Sequence, residues 1–199
     1  MRLDDYKVIF VAVGLVGILL LASPALALVL HLPSGEKFSE LYILDPEHMA
    51  EDYPFNVSAG GEYLVYLGVG NHLGNAAYYE VLVKLRNSSD ALPNDTSGVA
   101  SDLPVLYHYE AFLADGQTWE GALNFSFSNV GFGENMSSVG MMRFNDTWVE
   151  VNKNAAWDSE NSGYFYQLVS ELWLYDTTSD SFSFHDRFVT RWLNMTAPV

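Results

Sequence analysis

The sequence predicts a mainly β fold, an immunoglobulin-like antiparallel β-sandwich, preceded by a single N-terminal transmembrane helix. One observation is an uncharged apolar stretch from Val8 to Leu30. A second is a series of short segments, rich in aromatic and β-branched residues, that are separated by Gly, Asn and Asp. A third is the lack of any convincing soluble-helix pattern after residue 37.

The apolar stretch is long enough to cross a bilayer. As a helix it would measure roughly 34 Å, against a hydrocarbon core of about 30 Å. Arg2 and Lys7 precede it, and the sequence after it is acidic, so the positive-inside rule places the N-terminus in the cytoplasm. The predicted organisation is a cytoplasmic N-terminus (1–7), a transmembrane helix (8–31), a short tether (32–37) and an extracellular β-sandwich (38–199).

A cleaved signal peptide is the alternative interpretation of this stretch. Residues 23–27 read Ser-Pro-Ala-Leu-Ala, which has the small-residue pattern of a cleavage site. The apolar run continues through Leu30 and exceeds a usual signal-peptide core, which favours a retained anchor in the cell membrane. Gly14 and Gly17 are candidate contacts with another membrane helix, although ordinary glycines that face lipid are the favoured interpretation.

Seven strands are expected in the exterior domain. Their alternation is clearest where Tyr79, Val81, Val83 and Leu85 share one face. Trp119 and Trp173 are expected in the core. The predicted strands are Glu40–Leu44, Glu62–Val69, Ala76–Leu85, Val105–Leu113, Thr118–Phe127, Phe165–Tyr175 and Phe188–Leu193.

Two stretches interrupt this rhythm and are interpreted as insertions, at about 87–104 and 131–163. The first is polar. The second is expected to pack over one end of the sandwich, either as a flap that buries its own aromatic residues or as a lobe that binds a partner. The candidate partner contacts in it are Met141, Met142, Trp148 and Trp157.

N-glycosylation acceptor sequences occur only after the apolar stretch, on the side that the charge rule calls exterior. This agreement supports both inferences. The polar segment holds the two most accessible acceptors, and Asn124 must face solvent to be modified because it lies within a strand pattern. The seven acceptors are Asn56, Asn87, Asn94, Asn124, Asn135, Asn145 and Asn194.

Composition excludes several function classes. The formal net charge is −16, from 9 Lys and Arg against 25 Asp and Glu, which argues against nucleic-acid binding. The chain has no cysteine, so disulfides, thiol catalysis and thiolate zinc sites are excluded. The five histidines show no metal-ligand spacing, and nucleophile and phosphate-loop motifs are absent. We therefore expect no catalytic residue, no cofactor and no metal site.

An ordered series of short motifs spans most of residues 38–194. It comprises Phe38–Pro46, Tyr53–Ser58, Val69–His72, Tyr79–Val81, Leu113–Trp119, Ser170–Tyr175 and Arg191–Asn194. The series resembles an archaeal membrane-protein family known only as a domain of unknown function (number sixteen-sixteen). The resemblance implies an archaeal source and an outward-facing β-domain, and it implies no reaction. Members typically carry several membrane helices, whereas this chain has one apolar stretch.

The expected function is that of a non-enzymatic structural or interaction subunit in a larger envelope or membrane assembly, as a homo- or hetero-oligomer. The short tether and the N-linked glycans fit a module held beside the bilayer. One alternative is an accessory subunit of the protein-secretion or N-glycosylation machinery. Another is a surface carbohydrate-binding module that uses Trp148 or Trp157 as a platform.

Overall fold

The structure is a computed structural model that describes residues 6–18 and 36–197. Residues 6–18 are helical, and the remainder of the predicted span, 19–31, lies outside the described residues. Within the parts that are described, no helix has both the length and the apolarity needed to cross a membrane. A Cβ atom at Gly14 or Gly17 would meet no atom within 4 Å.

Residues 38–196 form ten strands. All seven predicted strands are present, and three more join them. The strands are β1 (Phe38–Leu44), β2 (Asn56–Ser58), β3 (Glu62–His72), β4 (Ala77–Asn87), β5 (Val105–Leu113), β6 (Thr118–Phe132), β7 (Met136–Phe144), β8 (Thr147–Asp158), β9 (Gly163–Asp176) and β10 (Ser181–Thr196).

The strands form one curled sheet that folds into two layers. The first layer has the order β1-β3-β6-β7-β8, and the second has the order β5-β4-β9-β10-β2. Two residue pairs between β8 and β9, Trp157 with Tyr164 and Asp158 with Gly163, connect the layers. An isolated bridge of Ala59, which follows β2, with Phe127 of β6 also links them. Every pairing is antiparallel except that of β10 with β2.

The mainly β, antiparallel prediction is therefore confirmed. In the second layer the strand order β10-β9-β4-β5 places the last two strands of the chain beside the earlier β4–β5 pair. This is the G-F-C-C′ order of immunoglobulin-like sheets. The difference from an ordinary sandwich is the β8–β9 connection, which makes the two layers continuous.

The core lies between the layers and contains the predicted faces. Tyr79, Val81, Val83 and Leu85 of β4 are each at most 1% exposed. The fully buried face of β6, which runs from Leu123 to Phe127, lies opposite them in the same hydrophobic cluster. Alternating inward side chains on both layers supply this core without a disulfide.

The expectation for the two tryptophans is wrong. Trp119 and Trp173 are half-buried. Trp119 packs beside Tyr109 at the margin of the core, with ring centroids 5.1 Å apart. The largest fully buried side chains are instead Tyr79 and Tyr166. Each has its hydroxyl satisfied by a serine on the facing layer, Ser39 and Ser137 respectively, which permits complete burial.

Residues 131–163 are not an insertion over one end of the sandwich. They supply the end of β6 and all of β7 and β8, which extend the first layer. Met142 and Phe144 of β7 are fully buried in the common core. The segment is therefore part of the sheet, and the flap interpretation is wrong.

The polar segment at 88–104 covers the outer face of the second layer. Beneath it, Lys84 Nζ donates to Glu171 Oε2 at 2.8 Å, and these side chains are 3% and 0% exposed. Ser101 closes over this ion pair, since its backbone N–H donates to Glu171 Oε1 at 3.1 Å and its carbonyl accepts from Lys84 at 3.0 Å. The Lys84–Glu171 ion pair therefore holds the polar segment in place, because removing one of its partners would leave a buried charge uncompensated.

Candidate functional site

The most prominent exposed feature is the free edge of the second layer. Strand β5 pairs with β4 on one side and with no strand on its other side among residues 36–197. Val105 and Phe112 on this strand are 47% and 72% exposed. The free edge of such a strand presents a row of backbone donors and acceptors to which another extended chain can pair.

Two carboxylates face each other beside this edge. Glu80 of β4 and Glu110 of β5 are directly paired in the register, and His108 lies two residues before Glu110 on the same face. Burial raises the pKa of Glu80, the charge of Glu110 raises it further and His108 opposes the shift. The Tyr78 hydroxyl donates to Glu110, and that hydrogen bond is the main cause of the raised pKa of Tyr78.

The donor atoms of Glu80, His108 and Glu110 all lie within 4.8 Å of one another. An imidazole with two carboxylates is a donor set suited to a divalent transition ion. We did not expect this cluster from sequence. Only the β4–β5 register brings Glu80 to the other two, so spacing along the chain gave no signal.

Aromatic rings surround the upper end of the same face. Tyr78, Tyr175 and Phe182 pack with centroids 5.1–6.0 Å apart. Tyr78 and Phe112 line a cavity of about 530 Å³ that extends to the β9–β10 turn. We call the surface formed by Glu80, Glu110, Phe112 and Tyr78 the edge site. It combines negative charge, exposed aromatic area and unpaired backbone.

The partner contacts predicted in residues 131–163 differ in their exposure in the structure. Met142 is fully buried, so its assignment as a partner contact is wrong. Met141 is half-buried. Trp148 and Trp157 are 51% and 44% exposed and stay available to a ligand. The Arg143 guanidinium lies 5.8 Å from the centroid of the Trp148 ring. Trp157 packs edge-on against Tyr164.

Four of the seven acceptor asparagines form two adjacent pairs. In the first, Asn194 Nδ2 donates to Asn56 Oδ1 at 3.0 Å. In the second, Asn124 Nδ2 lies 3.3 Å from Asn145 Oδ1. The Nδ2 atom of Asn145 donates to two tyrosine hydroxyls, and the asparagine is half-buried. The two members of each pair are therefore unequal in access.

The other three acceptors also differ from one another. Asn94 and Asn135 are exposed, and their Nδ2 atoms form no hydrogen bond within the described part of the chain. Asn87 is half-buried, and its Nδ2 donates to the Asn154 carbonyl at 2.8 Å. Of the two acceptors predicted to be most accessible, Asn94 in the polar segment is thus open, whereas Asn87 at the end of β4 is engaged.

The fold and the edge site define a class, namely a two-layer antiparallel β-domain with an exposed, aromatic and acidic sheet edge. The sequence profile of a family described as "Domain of unknown function (DUF1616)" matches residues 32–160. The chain belongs to this family. A search of curated proteins finds no match.

Solved structures share only a loose likeness. The β-glucosidase from Listeria innocua in complex with isofagomine is 8% identical, with a TM-score of 0.42, over 81% of this chain and 16% of that chain. The CARDB domain of a Pyrococcus furiosus protein, in complex with di-metal ions, is 10% identical, with a TM-score of 0.40, over 82% and 98%. One chain from the complex formed between zinc 2-glycoprotein and prolactin inducible protein from human seminal plasma is 10% identical, with a TM-score of 0.39, over 82% of this chain and 99% of that chain. These scores are too low to carry an argument about function.

Proposed function

We propose that this chain is a non-enzymatic interaction subunit, held by a single membrane helix with its N-glycosylated, immunoglobulin-like β-domain outside the cell, within a larger membrane or envelope assembly. The observation that carries the proposal is the edge site. A nine-residue strand with one free edge and a strongly exposed phenylalanine is prone to unwanted association unless that edge is paired or covered.

The chemistry of the edge site indicates the kind of partner. An extended segment that adds to β5 would satisfy the free backbone groups of that strand. Glu80 and Glu110 favour a basic side chain on the added strand, because it would relieve their mutual repulsion. Phe112 and Tyr78 favour an apolar side chain next to it. The partner is therefore an extended segment of a neighbouring protein that carries a basic and an apolar residue on one face.

A membrane anchor would strengthen binding at the edge site without enlarging the contact area. A domain on a short tether shares the membrane surface with its partner, which raises the effective concentration of both. A modest edge contact then suffices for stable assembly. This arrangement supports an interaction role over a freely diffusing binding module.

The test is affinity purification of the full chain from membranes in mild detergent, followed by mass spectrometry of the co-purifying proteins. Phe112→Lys and Glu110→Lys are each expected to lower recovery of the specific partner at least about tenfold, the loss produced by roughly 1.4 kcal/mol of binding energy. Phe38→Lys is the matched control, since this phenylalanine is 39% exposed and lies on β1 of the other layer. Equal recovery with all three variants, or a wild-type chain that migrates alone, would refute the proposal.

A further inference from the structure

A second aromatic surface lies at the opposite end of the second layer from the edge site. Phe55, Phe165 and Trp192 line a cavity of about 440 Å³, and the Asp158, Asn161 and Ser88 side chains complete its rim. Phe55 is 50% exposed and Trp192 is 40% exposed. We call this surface the aromatic groove. It presents apolar ring faces beside polar groups, the combination on which a pyranose ring packs.

The strand register places one glycosylation acceptor directly beside this groove. Asn194 of β10 is paired with Asn56 of β2 on one side and with Phe165 of β9 on the other. Directly paired residues project to the same face of a sheet, so Asn56 and Phe165 stand in one row, about 10 Å apart at a strand spacing of about 4.8 Å. Trp192 lies two residues before Asn194 on the same face.

The hydrogen bonds in this row leave Asn56 as its only open acceptor. The Nδ2 atom of Asn194 donates to Asn56 Oδ1, and its Oδ1 accepts from the Tyr164 backbone N–H at 3.2 Å. Both polar atoms of the half-buried Asn194 are therefore engaged. The bond from Asn194 also holds the Asn56 amide by its oxygen, so that its Nδ2, the atom to which a glycan is attached, is the free end of an exposed side chain.

We propose that Asn56 carries an N-linked glycan and that the first pyranose rings of this glycan lie on the aromatic groove, against Phe165 and Trp192. The proposal rests on the extracytoplasmic placement stated under Proposed function. A glycan rooted at Asn56 crosses Asn194 within the length of about two sugar rings and reaches both aromatic side chains. The sugar covers apolar ring surface that the fold otherwise leaves in water.

Ser58→Ala is the most specific variant for this proposal. It destroys the acceptor sequence but keeps Asn56 and its bond from Asn194, and the hydrogen bonds that Ser58 makes in the structure use only its backbone. Thr96→Ala is the matched control, because it removes the exposed Asn94 acceptor in the polar segment, away from this row. The full chain is purified from membranes of a host that performs N-glycosylation.

Two measurements are made on each variant, namely glycopeptide mass spectrometry and the melting temperature in detergent. We expect a glycan at Asn56 in the wild type. Ser58→Ala should then lower Tm by about 2–4 °C, and Thr96→Ala should leave it unchanged. The Tm decrease caused by Ser58→Ala should disappear in a Phe165→Ala background, because the sugar has then lost its contact with the aromatic ring. If Phe165→Ala does not fold, Trp192→Ala serves as the background instead.

Each other outcome contradicts the proposal. A glycosylated Asn56 without a Tm shift, or with a shift that persists in both aromatic variants, means that the sugar does not lie on the groove. An unmodified Asn56 alongside modified Asn94 or Asn135 overturns the proposal and leaves the exterior placement standing. Seven unmodified acceptors would remove the exterior placement as well.

Discussion

At the scale of single residues, the most telling contact is the direct opposition of Glu80 and Glu110. Like charges paired across neighbouring strands destabilise a sheet by up to about 1 kcal/mol. Burial and the charge of Glu110 raise the pKa of Glu80 above its ordinary value of 4.5. The folded state therefore holds this proton more tightly than the unfolded state, and the fold loses stability as the pH rises through the raised pKa.

Glu80→Gln removes this cost and gives a directional prediction. At neutral pH the variant should melt above the wild type by at most about 2–4 °C, the shift that about 1 kcal/mol produces for a chain of this size, because solvent screens this partly exposed pair. The advantage should shrink as the pH falls from neutral through the raised pKa of Glu80, because the wild-type carboxyl then takes up a proton. The measurement is Tm of both full-length proteins in detergent across this pH range.

Glu150→Gln supplies the control for that series. Glu150 is exposed on β8, and no ion pair is described for it, so its removal should change Tm little at any pH. A Glu80→Gln advantage that is constant with pH would show that the gain comes from packing and not from the charge of Glu80.

The residue contacts that define the two surfaces were largely beyond sequence analysis. The acceptor at Asn56 was found by its motif, but its neighbour Asn194 is brought to it by the parallel β2–β10 pairing. The Glu80–His108–Glu110 cluster depends likewise on the β4–β5 register. A motif is read along the chain, whereas each of these contacts is made across strands.

At the scale of elements, the alternating apolar pattern predicted the strands that bury one strong face, such as β4. It missed β2, which has three residues. It also missed β7 and β8. In β7 a buried serine, Ser137, interrupts the apolar face, and in β8 the half-buried positions hold only two apolar residues, Val149 and Val151, before Lys153. Their burial comes from the neighbouring strand, and intrinsic propensity does not show it.

The membership of β7 in the sheet leads to a second prediction. Phe144→Ala should destabilise the whole β-domain by about 3–5 kcal/mol, because it opens a cavity in the shared core. Met136→Ala, on the same strand but 50% exposed, should cost no more than about 0.5 kcal/mol. Chemical denaturation of the full chain in detergent measures both.

The alternative, a self-contained flap, predicts a different denaturation curve for Phe144→Ala. The flap would melt early in a separate transition, and the main transition would keep its midpoint. A single cooperative transition that moves to lower denaturant is the expected result.

At the scale of the whole molecule, the charge balance and the two surfaces support one arrangement. The formal charge of −16 disfavours non-specific association with other acidic surfaces and favours a basic partner. The edge site shares this negative charge and adds exposed aromatic area and free backbone groups, so it suits an extended basic segment. The aromatic groove at the other end would meanwhile be covered by sugar, which leaves one face of the domain open to a partner.

The orientation on which this arrangement depends has a direct test. The chain contains no cysteine, so a single introduced cysteine reports its own location. Ser97→Cys, in an exposed turn, should react with a membrane-impermeant maleimide on intact cells, because we place residues 38–199 outside. Leu3→Cys should react only after permeabilisation, because the positive-inside rule places the first seven residues in the cytoplasm. Labelling in the opposite pattern would reverse the orientation, and a mature chain that lacks residue 3 would identify the apolar stretch as a cleaved signal peptide.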